Sequence, residues 1–413
     1  MAVFQATELL IPRQELLDNW AVVACDQFTS QPEYWKEVRE QVGDKPSAYH
    51  ITFPEAELGK NEEARIASIN DHMKRYLEGD VFRRFPNAYV YVERRLFDGS
   101  VRRGVVGVID LEEYDYQNDA ASAVRATEQT VVVRIPPRVR IRRGAALETS
   151  HVMLLMDDAS GRVLDSLEKK KAALPQVYRF SLMQGGDEVE GRLVQGKDAE
   201  ALDAALEAYE QDTRERFAET GKAPLLYAVG DGNHSLAAAK TCWERLKQAR
   251  PELAGTQHPA RYAMVELQNI RDACQKFEPI HRLLTDVPVN KLLLAAKDVC
   301  GPGGLLVDWQ AGERQGTLFL DKGKGTMAVA ILQPLLDRFL HESGGSIDYV
   351  HEEDTAARLA KRIGSIAFLM PKISKDDFFR SIVMDGVMPR KTFSMGHAWE
   401  KRYYLECRRI TEE

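Results

Sequence analysis

Asp231, Asn233, His234 and Ser235 stand within five residues of one another in the run LLYAVGDGNHSLAAAKTCWERLK, from Leu225 to Lys247. A carboxylate, an imidazole and a hydroxyl clustered this way suit chemistry on a phosphate. Their position suits it too. Leu225, Leu226, Tyr227, Ala228 and Val229 form a short apolar run, the pattern of an interior strand. Gly230 and Gly232 flank Asp231 and permit a tight turn. From Asn233 onward the period changes, with Leu236, Ala239, Trp243 and Leu246 on one helical face and Pro251 just past the end. The polar residues therefore fall at the end of a strand and in the first turn of a helix, where unpaired N–H groups and the positive dipole end attract anions. Asp, Asn and Ser are also preferred helix caps. Four polar residues in a glycine-punctuated turn exceed what capping requires.

A second candidate lies in RATEQTVVVRIPPRVRIRRG, Arg125 to Gly144. Arg138, Arg140 and Arg142 alternate with Val139 and Ile141, so at strand period three guanidiniums project from one face. Arginine suits bidentate contact with phosphate, although a charge-protected edge strand has the same pattern. Glu128, just upstream, is a candidate base or metal ligand. HEED, His351 to Asp354, lacks the second histidine of a zinc helix and reads as an acidic first turn. LDKGKGT, Leu320 to Thr326, lacks the spacing of a phosphate-binding loop and reads as a hairpin turn between strands.

The elements that must position these groups mix strands and helices without strict alternation. Hairpins are expected around Asp98-Gly99, around Ser160-Gly161 (Val152 to Met156 with Val163 to Leu167), and between Tyr178–Met183 and Glu188–Val194. A fourth pairing joins Gly316–Leu320 to Met327–Leu332. Helices are expected over Pro32 to Val42, Asn61 to Leu77 and Ala199 to Glu219. The pattern predicts an α+β fold with a mixed or antiparallel sheet, several hairpins and flanking helices. A division near Thr285 to Asn290 predicts a core of residues 1–285 carrying the site and a C-terminal region of residues 286–413.

Bulk properties bound the rest. With 413 residues, 44% of them hydrophobic, the chain has ample material for packed cores. A formal net charge of −7 argues against a dedicated nucleic-acid partner. Five scattered cysteines without a CxxC pair argue against structural zinc and a disulfide framework. The N-terminal MAVFQATELLIPRQELL does not read as a secretory signal, and no apolar run has membrane length. The expectation is a cytoplasmic protein with a small-molecule substrate, no membrane partner and an oligomeric state the sequence leaves open.

WAVVACDQFTSQPEYW, RATEQT, RIPPRVRIR, VGDGNHSLAAAK, HPARYAMVELQN, FEPIHRLL and MPRKTF occur in this order and together resemble the family labelled domain of unknown function 1015. The Asp-Gly-x-His turn also resembles the Asp-Gly-His-His-Arg motif of free L-serine kinases in the ParB–sulfiredoxin superfamily, which implies a core of that type around the turn. By this resemblance Asp231 matches the motif aspartate and His234 its second histidine, while Asn233 and Ser235 replace the first histidine and the arginine. Glu128 and Thr130 match a His-Glu-x-Thr pattern whose histidine is Thr127 here. His281 and Arg282 match a Pro-x-His-Arg pattern, Lys391 a lysine near the C-terminus, and Asp26 the aspartate of a Pro-Pro-Tyr-Asp segment.

The resemblance implies transfer of a phosphoryl group from ATP, ADP or pyrophosphate to the hydroxyl of free L-serine. Asp231 or Glu128 serves as base, with the other helping to hold Mg²⁺. Asn233, His234, Ser235 and Thr130 cradle phosphate, and Arg138 and Arg142 neutralise the donor. His281, Arg282, Lys391 and Asp26 are expected around the substrate, with Arg282 or Lys391 on the serine carboxylate. A nucleotide hydrolase or nucleotide-gated switch, and a non-catalytic binder of a small anionic metabolite, are the alternatives.

Overall fold

Asp98-Gly99 reverses the chain between two long strands, Phe82–Arg95 and Val101–Asp110, with Gly99 at φ 80°. Alternation along this hairpin sends its side chains to opposite faces. Val90, Val92, Val106 and Val108 enter one hydrophobic core with Trp20, Trp35 and Met264. Tyr89, Tyr91, Val105 and Ile109 enter another with Leu206, Leu236 and Trp243. The middles of these strands, residues 88–92 and 104–109, are thus covered on both sides, which explains their apolar runs AYVYV and GVVGVI.

The computed structural model describes residues 2–59, 61–149, 152–396 and 398–412. Spatial contacts divide the chain into two compact units, one of Met1–Ala126, Thr130–Gln275 and His397–Glu413, the other of Thr127–Gln129 and Lys276–Gly396. In the first unit the sheet runs Tyr114–Asp115, Val124–Ala126, Tyr227–Asp231, Val152–Met156, Tyr262–Asn269, then Val101–Asp110 and Phe82–Arg95. It continues through Thr7–Pro12, Cys407–Arg409 and Leu147–Thr149. Tyr227–Asp231 lies parallel to Val124–Ala126 and antiparallel to Val152–Met156, so the sheet is mixed, as the α+β pattern predicts. The hairpin Gln176–Ser181 with Glu188–Val194 also forms and extends from Phe82–Arg95.

Two expected pairings do not form. After Ser160-Gly161 the chain enters the helix Leu164–Lys170 rather than a second strand. Leu164 and Leu167, three apart, are buried while Lys169 and Lys170 are exposed, so helical spacing prevails in this short apolar run. Likewise Met327 to Leu332 leads into the helix Ala328–Ser343, which buries Ile331, Leu332, Leu335, Leu336 and Phe339. The strand Arg314–Leu320 pairs instead with Cys300–Ala311. LDKGKGT therefore joins a strand to a helix and is not a hairpin turn.

The second unit holds a five-stranded antiparallel sheet, ordered Arg314–Leu320, Cys300–Ala311, Ile366–Leu369, His281–Thr285 and Ser346–Val350. Among the described residues no helix is long and apolar enough to cross a membrane.

The C-terminal residues bring buried charge into the first unit. Arg402 is 4% exposed; its Nε lies 2.6 Å from Glu266 and its Nη2 pairs with Glu406, which also accepts from the Tyr178 hydroxyl. Arg408 reaches Glu148 at 2.5 Å. Breaking such a network on one side leaves uncompensated charge in a dry interior. Arg402→Met, which strands Glu266 and Glu406, is expected to cost about 3–5 kcal/mol. A lowered urea midpoint with unchanged slope would show this; an unchanged midpoint would show that the network contributes nothing.

Candidate functional site

Gly232 makes the turn after Tyr227–Asp231. Its φ of 90° lies in the left-handed region, and a Cβ there would come within 3.0 Å of both Cα and Cγ2 of Val152. Geometry and space both require glycine. The Gly232 carbonyl accepts from the N–H groups of Ser235 (3.0 Å) and Leu236 (3.1 Å), which starts the helix Asn233–Ala249. Leu236, Ala239 and Trp243 are buried along it, as the spacing predicts. Asp231 is thereby held at the strand end, half-buried. Its Oδ1 accepts from the Gly232 N–H at 3.0 Å, and its Oδ2 lies 3.6 Å from Lys401 Nζ.

His234 is half-buried in the first turn of that helix, and its Nε2 accepts from the Val131 N–H at 3.2 Å. Burial, followed by the positive charges of Arg138 and Arg134, pulls its pKa from 6.5 down to about 4, against the opposing pull of Asp26. The ring is therefore neutral near pH 7, and with Nε2 accepting, the proton belongs on Nδ1. His234 can offer a hydrogen bond to a ligand but not a positive charge. Two polar atoms on residues adjoining this contact, Thr130 Oγ1 beside Val131 and Asn233 Oδ1 beside His234, are buried without hydrogen-bond partners among the described residues, an arrangement that calls for an explanation. Ser235 completes the turn, half-buried.

The arginine run differs from expectation. Residues Ile135–Arg143 form a helix, not a strand, with proline in its first turn. Ile135 and Val139, four apart, pack on Ala237 and Ala238 of the helix after Asp231. Arg138, Arg140 and Arg142 consequently do not share one face: Arg140 points away from the other two. Each also has a carboxylate partner. Arg138 pairs with Glu55, Arg140 with Glu62, and Arg142 with Glu148 at 2.6 Å. Of the three, Arg138 acts electrostatically on His234. Arg134 and Lys401, which no spacing in the sequence marks out, join it at the turn. Asp26 belongs with them, acting on both His234 and Cys25, and its Oδ1 accepts from Gln27 Nε2 at 3.1 Å.

Glu128, His281, Arg282 and Lys391 lie in the second unit. Glu128 accepts from the backbone N–H groups of Thr392 (2.9 Å) and Lys391 (3.2 Å), and burial lifts its carboxyl above the usual range. Arg282 is 1% exposed, with its donors committed to Gln333, Ile280 O and Lys391 O. Burial draws its pKa down to about 10. Arg282 and Glu128 thus hold the same Lys391 loop, where Lys391 has φ 57° and an exposed side chain. His281 turns elsewhere, its Nδ1 accepting from the Met370 N–H at 3.0 Å. Among the described residues no group of three or more His, Cys, Asp or Glu side chains is arranged to hold a metal ion.

A histidine with a lowered folded-state pKa binds fewer protons folded than unfolded, so stability falls as pH drops from 6.5 towards about 4. Below that range this contribution stops changing. His234→Gln, which keeps an acceptor for the Val131 N–H, is expected to flatten that part of the acid fall in Tm. Parallel acid profiles for the two proteins would contradict a neutral His234.

No curated protein matches the chain in sequence. Among solved structures, a free serine kinase mutant in complex with ADP aligns at 11% identity and TM-score 0.38, covering 73% of this chain and 91% of the other. A conserved hypothetical protein from Pyrococcus furiosus aligns at 11% identity and TM-score 0.35, covering 73% and 94%. SbnI from Staphylococcus aureus, with a C-terminal truncation, aligns at 9% and 0.35, covering 70% and 83%. A family model described as protein of unknown function, DUF1015, matches residues 6–331, most of the chain, and the protein is a member of that family.

Proposed function

We propose that this protein transfers a phosphoryl group from a nucleotide or pyrophosphate to the hydroxyl of free L-serine, using the Asp231 turn. One observation carries the reading: a carboxylate and an ammonium, Asp231 and Lys401, stand together at the N-terminus of the 17-residue helix Asn233–Ala249. Phosphoryl transfer needs alignment, charge neutralisation and a group to accept the hydroxyl proton, and this turn offers all three.

In the proposed reaction the serine oxygen attacks the terminal phosphorus of the donor. The new O–P bond forms as the bond from that phosphorus to the leaving oxygen breaks, and the hydroxyl proton passes to Asp231. The helix N-terminus and the Nδ1–H of His234 receive phosphate oxygens, with Arg134 and Arg138 adding positive potential. The unpartnered Thr130 Oγ1 and Asn233 Oδ1 are the polar atoms available to the serine. Mg²⁺ takes most of its ligands from nucleotide phosphates and water and one or two from carboxylates. With Asp231 serving as base, Asp26 is the carboxylate near this turn that would fit that role.

The test is Asp231→Asn. The amide oxygen can still accept from the Gly232 N–H, so Tm is expected to stay put, whereas loss of a positioned base lowers kcat by about 10²–10⁴-fold. A variant that forms phosphoserine at the wild-type rate would remove Asp231 from the mechanism.

A further inference from the structure

Lys401 lies far from the Asp231 turn in sequence, yet its delivery there is tightly controlled. Arg94 Nη1 donates to the Lys401 carbonyl at 2.6 Å, Arg94 Nη2 to the Trp399 carbonyl, and Arg102 to the Glu400 carbonyl. Three consecutive carbonyls are therefore held by two buried arginines. Arg94 is itself fixed by Asp187 at 2.7 Å and lies over the Tyr403 ring at 4.9 Å. Trp399 packs against Phe28 and Tyr34, with ring centroids 4.6 and 5.4 Å apart, which ties the same segment to the loop carrying Asp26.

A lysine side chain is a compact charge on a flexible stem, so fixing its backbone is how a fold aims it. The Asp231 pair alone does not account for such anchoring, because a partly exposed ion pair contributes little stability. At 3.6 Å the two groups are within ion-pair range but beyond a hydrogen bond. The ammonium therefore keeps its donors for another partner. The side chain is 16% exposed, enough to be reached from solvent.

We infer that Lys401 is a phosphate-binding residue, held near Asp231 and turned onto a donor phosphate oxygen when ligand enters. This deepens the phosphoryl-transfer reading and rests on it for the identity of the donor. Removing the ammonium takes one charge-assisted contact from the phosphate, and replacing it by another cation restores most of that contact.

Calorimetry with ADP and with inorganic pyrophosphate on the full chain, for wild type, Lys401→Met and Lys401→Arg, tests this. The expected result is binding by wild type, weakening by roughly tenfold or more in Lys401→Met, and substantial recovery in Lys401→Arg, all at similar Tm. Equal affinity of Lys401→Met and wild type would overturn the assignment while leaving the kinase reading untouched. Weakened binding in a protein that forms no phosphoserine would uphold Lys401 and sink the kinase reading. Wild-type protein that binds neither compound would overturn the assignment of Lys401.

Discussion

The first unit depends on one close approach. Where the strand Tyr227–Asp231 ends, the backbone passes so near Val152 that no side chain fits at Gly232. That passage sets the direction of the helix Asn233–Ala249, because the Gly232 carbonyl accepts its first two backbone hydrogen bonds. It also aims the Asp231 carboxylate, which folds back onto the Gly232 N–H. A larger residue would strain the backbone and displace Val152, moving the strand end and the helix start together. The carboxylate, the imidazole and the helix terminus therefore act as one rigid group.

Charge is arranged around that group by segments that are distant in the chain. The helix Ile135–Arg143 packs its apolar stripe on Ala237 and Ala238 and brings Arg138 near His234. The C-terminal segment brings Lys401, while Arg402 and Arg408 bury themselves against Glu266, Glu406 and Glu148. Buried pairs of this kind add little net stability, because desolvation offsets attraction. Their value here is positional: they leave the segment one way to lie. Burial, Arg138 and Arg134 keep His234 neutral, so the imidazole adds no positive charge to the turn.

Where a segment had one dominant period, its fold was legible in the sequence. Leu236, Ala239 and Trp243 mark a helix that no strand pattern explains, and the Phe82–Asp110 hairpin follows from its two apolar runs and Asp98-Gly99. Short runs compatible with both periods do not declare their structure. Val139 and Ile141 between arginines fit a strand, and the stronger local signal was the Pro136-Pro137 pair, which suits a helix start. Val163 to Leu167 and Met327 to Leu332 are ambiguous in the same way. The Asp231 turn was visible because its residues are contiguous. Lys401 was not, because its pairing exists only after residues 397–413 return to the first unit. The buried state of Arg282 was equally hidden, since a sequence shows a cation but not the carbonyls that consume its donors.

Phosphorus NMR of the purified protein with Mg²⁺ and free L-serine, offered ATP, ADP and pyrophosphate in separate samples, tests the central claim most directly. The account predicts a phosphoserine resonance with at least one of these donors. Phosphate release without phosphoserine, or unchanged spectra with all of them, would contradict it.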